Sequence, residues 1–203
     1  MSVLIAPMGN VNSDVGICGF ASALMAIHDA DGLANDLQGA AFQTATLPKR
    51  LCKEIQQFLQ GLVGAGETNL IQSIEAFTRS FGDDYATFSV AQYLNFDFDS
   101  ISMDNWRAVR SRFDVALPPQ VLLRYLQNRW GLPAARMIGV GEDTDKYIVG
   151  VREKSKQREE YNGLVHWMYV SNGRVFSWGD QFDSITEADA DFEEVYRIAI
   201  GVH

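Results

Sequence analysis

Basic charge is what this 203-residue chain has least of: 17 Lys and Arg stand against 26 Asp and Glu, a formal net charge of −9. Such a chain repels phosphate backbones, which argues against nucleic acid as a partner unless basic residues cluster. The densest cluster, Arg152-Glu153-Lys154-Ser155-Lys156-Gln157-Arg158-Glu159-Glu160, nearly cancels itself and reads as a solvated loop between strands. Cysteine is scarce too, with only Cys18 and Cys52; they could form one disulfide, but nothing points to an oxidising compartment and both thiols are expected to be reduced. No apolar run approaches the roughly 20 residues that span a bilayer. The start, Met1-Ser2-Val3-Leu4-Ile5-Ala6-Pro7, lacks the basic stretch and long apolar run of a signal peptide. Synthesis in a cytoplasm is expected, with a signal-independent route of secretion left open. Repeats, low-complexity tracts and Pro/Gly/Ser-rich linkers are missing as well, so residues 1–203 read as one domain.

What is present is 47% apolar and 21% charged, the balance of an ordinary globular domain. Helical signals fill about residues 14–131. Cys18-Gly19-Phe20-Ala21-Ser22-Ala23-Leu24-Met25-Ala26-Ile27 reads as a helix rich in small and apolar side chains. Pro48 suits the first turn of a helix to about Leu62, whose stripe of Leu51, Ile55, Phe58 and Leu62 makes Cys52 a packing residue at its border. Thr68 can cap a third helix, a weaker one covers Phe88 to Leu94, Asp104 can cap another, and Pro118 opens one that Gly131 and Pro133 stop. From about 136 to 203 the pattern changes to strands: Met137–Val140, Tyr147–Val151, Leu164–Val170, Arg174–Trp178 and Val195–Ile200. Asn172-Gly173 between the third and fourth of these is a strong hairpin signal. Helices first and antiparallel strands afterwards indicate an α+β domain.

Three histidines make a search for a catalytic base short. A thiol on the first turn of a helix meets the positive end of the macrodipole and unpaired N–H groups, both favouring thiolate. A base must then approach the sulfur, with an acceptor to orient it. His28 is ten residues along the same helix, roughly 15 Å away at about 1.5 Å per residue, and His203 is terminal. His166 remains. Counting back from Asn172-Gly173 sets Ser171 against Arg174 and His166 against Gly179, which puts Asp180 beside the imidazole; Asp183 is the fallback. Asn12, or else Asn10, could add a carboxamide to the backbone donors of an oxyanion hole.

On these residues the chain resembles the papain-like cysteine hydrolases, in the broad sense that includes small bacterial effector proteases and glutamine deamidases. The matches are Asn12 six residues before the thiol, Cys18 in Gly16-Ile17-Cys18-Gly19-Phe20-Ala21-Ser22-Ala23, His166 in His166-Trp167, and Asp180 fourteen residues on. The resemblance implies a papain-like α+β fold, a nucleophile helix, and hydrolysis of amide bonds in a protein or peptide substrate, by proteolysis or by deamidation. There are departures: Gly19 stands where a Trp often follows the papain Cys, and Phe176 stands before Ser177-Trp178-Gly179 where papain has its Asn.

Other apparent motifs do not complete their patterns. Asp97-Phe98-Asp99-Ser100 begins like a calcium loop, but Ser102 and Ala108 occupy positions that require Gly and Glu. Zinc-ligand spacing is absent, and Gly61–Gly66 lacks the order of a phosphate loop, so neither metal nor cofactor is expected. Asp189–Glu194 reads as a solvated acidic segment. The competing expectation is a non-catalytic interaction protein of the same fold; thiol redox chemistry lacks a neighbouring second cysteine.

Overall fold

The computed structural model describes residues 17–29, 47–100, 114–156, 158–177 and 180–201. An antiparallel six-stranded sheet carries the molecule, in the order β1-β6-β2-β3-β4-β5. Its strands are β1 (Arg136–Ile138), β2 (Lys146–Glu153), β3 (Leu164–Ser171), β4 (Arg174–Ser177), β5 (Asp180–Phe182) and β6 (Phe192–Ala199). The helices before it are α1 (Cys18–Asp29), α2 (Leu47–Gly64), α3 (Thr68–Arg79), α4 (Val90–Leu94) and α5 (Pro119–Arg124), the last widening into a π-helical turn at Tyr125–Arg129. One short helix, α6 (Ile185–Ala188), lies between β5 and β6. The chain is thus α+β, with helices preceding strands as expected.

Alternation along the strands divides the apolar residues between two faces. Ile148, Trp167, Tyr169, Phe176, Ile198 and Ile200 join the main core with α1 to α5. Val149, Val151, Met168, Val170, Val175 and Phe192 form a smaller cluster on the other face, with Ile185 and Ala188 of α6 against it. Helix α1 is apolar nearly all round and is buried from Gly19 to Ile27, as such a helix must be.

Two glycines set close approaches around α1. A Cβ on Gly19 would lie 3.0 Å from Leu117 Cβ, so its absence lets α1 settle on the segment leading into α5. A Cβ on Gly150 would lie 2.8 Å from both Leu164 Cδ1 and Trp167 Cζ3; the gap in β2 is what receives the indole of β3. Polar ties complete the α1–β3 contact. Ser22 Oγ donates to Trp167 O at 3.0 Å, and Trp167 Nε1 donates to Leu117 O at 2.8 Å. Tyr169 and Ser171 hydroxyls donate to Asp29 Oδ2 at 2.6 and 2.7 Å, and Lys146 Nζ donates to Asp29 O at 3.1 Å.

Several expectations need correcting in detail. Thr68 begins α3 but does not cap it; the cap position is Glu67, without a side-chain bond. The weak helix starts at Val90 because Ser89 is its cap, accepting from Gln92 N. Strand β6 starts at Phe192, so Glu193 and Glu194 belong to it, Glu193 in a solvent-facing ion pair with Arg152 across the sheet and Glu194 in a largely shielded one with Arg197 along it. The helix expected after Asp104 lies outside the described residues.

Candidate functional site

Cys18 opens α1 and is partly buried against the main core. Burial is the largest influence on its thiol and pushes it up to about 11, while the backbone N–H groups of Trp167, Gly19 and Cys18 itself act in the opposite direction. The sulfur therefore sits over the start of β3, beside the residue that follows His166.

His166 is on that strand, but its side chain faces the other way. Regular pairing of β2 with β3 runs from Lys146↔Ser171 to Val151↔His166 and then slips to Arg152↔Leu164. Val165 is the extra residue of a β-bulge, so Val165 and His166 both lean toward the smaller cluster while Leu164 and Trp167 both enter the main core. The imidazole stacks near Phe192, with ring centroids 6.1 Å apart and planes at 25°. Its Nε2 lies 2.7 Å from Ser177 Oγ. Only 8% of the residue is exposed, and burial pushes the imidazole down to about 3, so the ring is neutral near pH 7. Sulfur and imidazole thus lie on opposite faces of β3, the thiol high and the ring low in pKa.

The hairpin pairs as the Asn172-Gly173 signal requires: Ser171↔Arg174, Val170↔Val175 and Tyr169↔Phe176. Asn172 and Gly173 have φ of 50° and 78°, the two left-handed residues of a type I′ turn. The expected end of β4 at Trp178 and the expected partner of His166, Gly179, lie outside the described residues; Asp180 lies on β5 opposite Ser177. Asp180 shares a sheet face with His166, but Ser177 is what occupies the place beside the ring. Asp183 forms an exposed ion pair with Arg174. Asn12, Asn10 and His203 lie outside the described residues. His28 is near the far end of α1, and Cys52 is fully buried in the main core, where burial pushes its thiol up to about 12.

Ser177 is the residue that sequence reasoning missed. The signal was available: Trp167 and Tyr169 are the large apolar residues of β3, so the alternate residue His166 belongs on the face of Val175 and Ser177. A cleft of about 380 Å³, lined by Arg136, Glu142, Asp143, Lys146 and Asn172 among others, lies by the opposite end of β3. Among the described residues no group of His, Cys, Asp and Glu could hold a metal ion, and no helix is long and apolar enough to cross a membrane. No family model, curated protein or solved structure matches this chain.

Proposed function

We propose that the chain is a cysteine-dependent hydrolase of amide bonds in protein or peptide substrates, and that the arrangement described above is its resting state. The observation that supports this reading is the position of the Cys18 sulfur. It sits on the first turn of a buried helix, next to the Trp167 N–H, with a histidine one residue away along the strand. In the reaction, His166 takes the thiol proton and the thiolate adds to the substrate carbonyl carbon. Backbone N–H groups at the start of α1, with Asn12, hold the oxyanion. The imidazolium then protonates the leaving nitrogen, giving an acyl-enzyme that water hydrolyses to free acid and thiol. Asp180 stays on the smaller-cluster face with Ser177, so it is not the acceptor of the ring when the ring meets the thiol. Peptide cleavage and release of ammonia from a glutamine share every one of these steps.

The opposite placement of sulfur and ring favours a second reading, a non-catalytic interaction protein that keeps the fold. One experiment separates the two. Wild type, Cys18→Ala and His166→Ala are incubated with candidate protein substrates and followed by intact mass. New termini indicate proteolysis and a gain of about 1 Da indicates deamidation. The hydrolase reading expects either change in wild type and a loss of at least about 1,000-fold in both variants. Unchanged substrate turnover in Cys18→Ala overturns it.

A further inference from the structure

The β-bulge of β3 is the one place where His166 can change faces while its neighbours stay where they are. The bulge pair is now Val165 and His166, on the side of the smaller cluster. Moving it one residue along makes the pair His166 and Trp167, on the side of the main core. Leu164 and Trp167 remain in the core and Val165 remains outside; the imidazole alone crosses to the face of Cys18. Resting on the hydrolase reading above, we propose that Ser177 is a positioning residue that holds His166 away from Cys18, and that a one-residue migration of this bulge delivers the ring to the thiol.

Three independent features support this. First, the hold includes a short contact between polar side chains, Nε2 to Ser177 Oγ at 2.7 Å, beside the stacking on Phe192. Second, the chain just before the bulge is strained. Tyr161 (φ 48°, ψ 45°) and Asn162 (φ 54°, ψ 30°) are left-handed without being glycine, and Gly163 follows at φ 78°. Tyr161 is pinned edge-on to Phe77 at 4.9 Å, and the Asn162 amide donates to Tyr196 Oη at 3.1 Å, so the strain is held by tertiary contacts three and four residues before the bulge. Third, Ser177 has a polar neighbour to turn to once the ring leaves: Asp180 is its directly opposite partner in the β4–β5 pair. Packed segments of this kind have discrete arrangements, not continuous ones.

The test is Ser177→Ala, read through alkylation of Cys18 by iodoacetamide. In wild type the rate at pH 7 is expected to be that of an ordinary thiol or slower. In Ser177→Ala it rises at least tenfold, persists below pH 7, and falls back in Ser177→Ala/His166→Ala, whereas Ser177→Thr keeps the wild-type rate. A purely structural serine lowers stability without a His166-dependent gain, and that result overturns the proposal. Nuclear Overhauser contacts between the His166 ring and the Cys18 β-protons locate the ring directly. Contacts that appear in Ser177→Ala with no activation uphold the migration and defeat the hydrolase reading. A wild-type thiol already activated by His166, and unmoved by Ser177→Ala, upholds the hydrolase and defeats the migration. If Ser177→Ala does not fold, relaxation dispersion on wild-type amides decides: exchange at Val165, His166 and Trp167 is expected, and flat profiles overturn the inference.

Discussion

His166 couples the smaller cluster to pH. Its folded-state pKa of about 3 lies below the usual 6.5, so between these values the unfolded chain binds a proton that the folded one refuses. Stability therefore falls as pH drops through 6.5 toward 3, with a slope of up to about 1.4 kcal/mol per pH unit from this residue. Urea unfolding of wild type against His166→Gln at pH 7 and pH 5 checks this. The variant, whose amide can still meet Ser177, is expected to lose less stability between the two conditions; equal losses would contradict a buried neutral ring. At the same scale, elimination among three histidines singles out His166 as the candidate base, but the direction of its ring was not legible. That direction depends on a bulge at Val165, set by how β2 and β3 fit around Leu164 and Trp167, which no local pattern announces.

At the scale of elements, the helices and strands were legible wherever period and punctuation agreed. Pro48 and Pro118 marked helix starts, and Asn172-Gly173 fixed a register that holds as far as Tyr169↔Phe176. What was not legible is β5, three residues long from Asp180 and too short to show a period. Strand β2 also carries a mid-strand glycine that reads as weakness and is in fact a socket. Gly150→Val is expected to cost about 1–3 kcal/mol by driving a side chain into the Trp167 indole. The loss should shrink in Gly150→Val/Trp167→Phe, measured by the midpoint of denaturant unfolding; strict additivity of the two changes would show that they do not share the space.

For the whole molecule, the sequence announced an α+β chain, and the structure adds that its sheet separates two cores of unequal size. The helical layer is also held by charge at one buried point. Glu54 of α2, with 8% of its side chain exposed, accepts from Arg129 Nε and Nη2 at 2.8 and 2.7 Å and from Tyr125 Oη at 3.3 Å. Removing one partner leaves a carboxylate stranded, so Arg129→Ala is expected to destabilise the protein by about 3 kcal/mol. Glu54→Gln/Arg129→Ala should recover part of that loss in thermal unfolding; no recovery would place the cost in lost packing of the arginine stem. These long-range ties, 75 residues apart in the chain, were not legible beforehand because only folding brings their partners together.

Asp29 gives helix α1 a pivot. Burial would raise its carboxyl, yet the Tyr169 and Ser171 hydroxyls and the Lys146 ammonium outweigh that and keep it ionised below the ordinary range. The last residue of α1 is thereby bolted to β2 and β3, while Cys18 stands at the far end of an arm roughly 16 Å long, at about 1.5 Å per residue. A tilt of about 5° at the bolt swings the sulfur by about 1.4 Å, a displacement on the order of those that cost an enzyme a hundredfold in rate. Aim at the thiol is set from the opposite end of the rod.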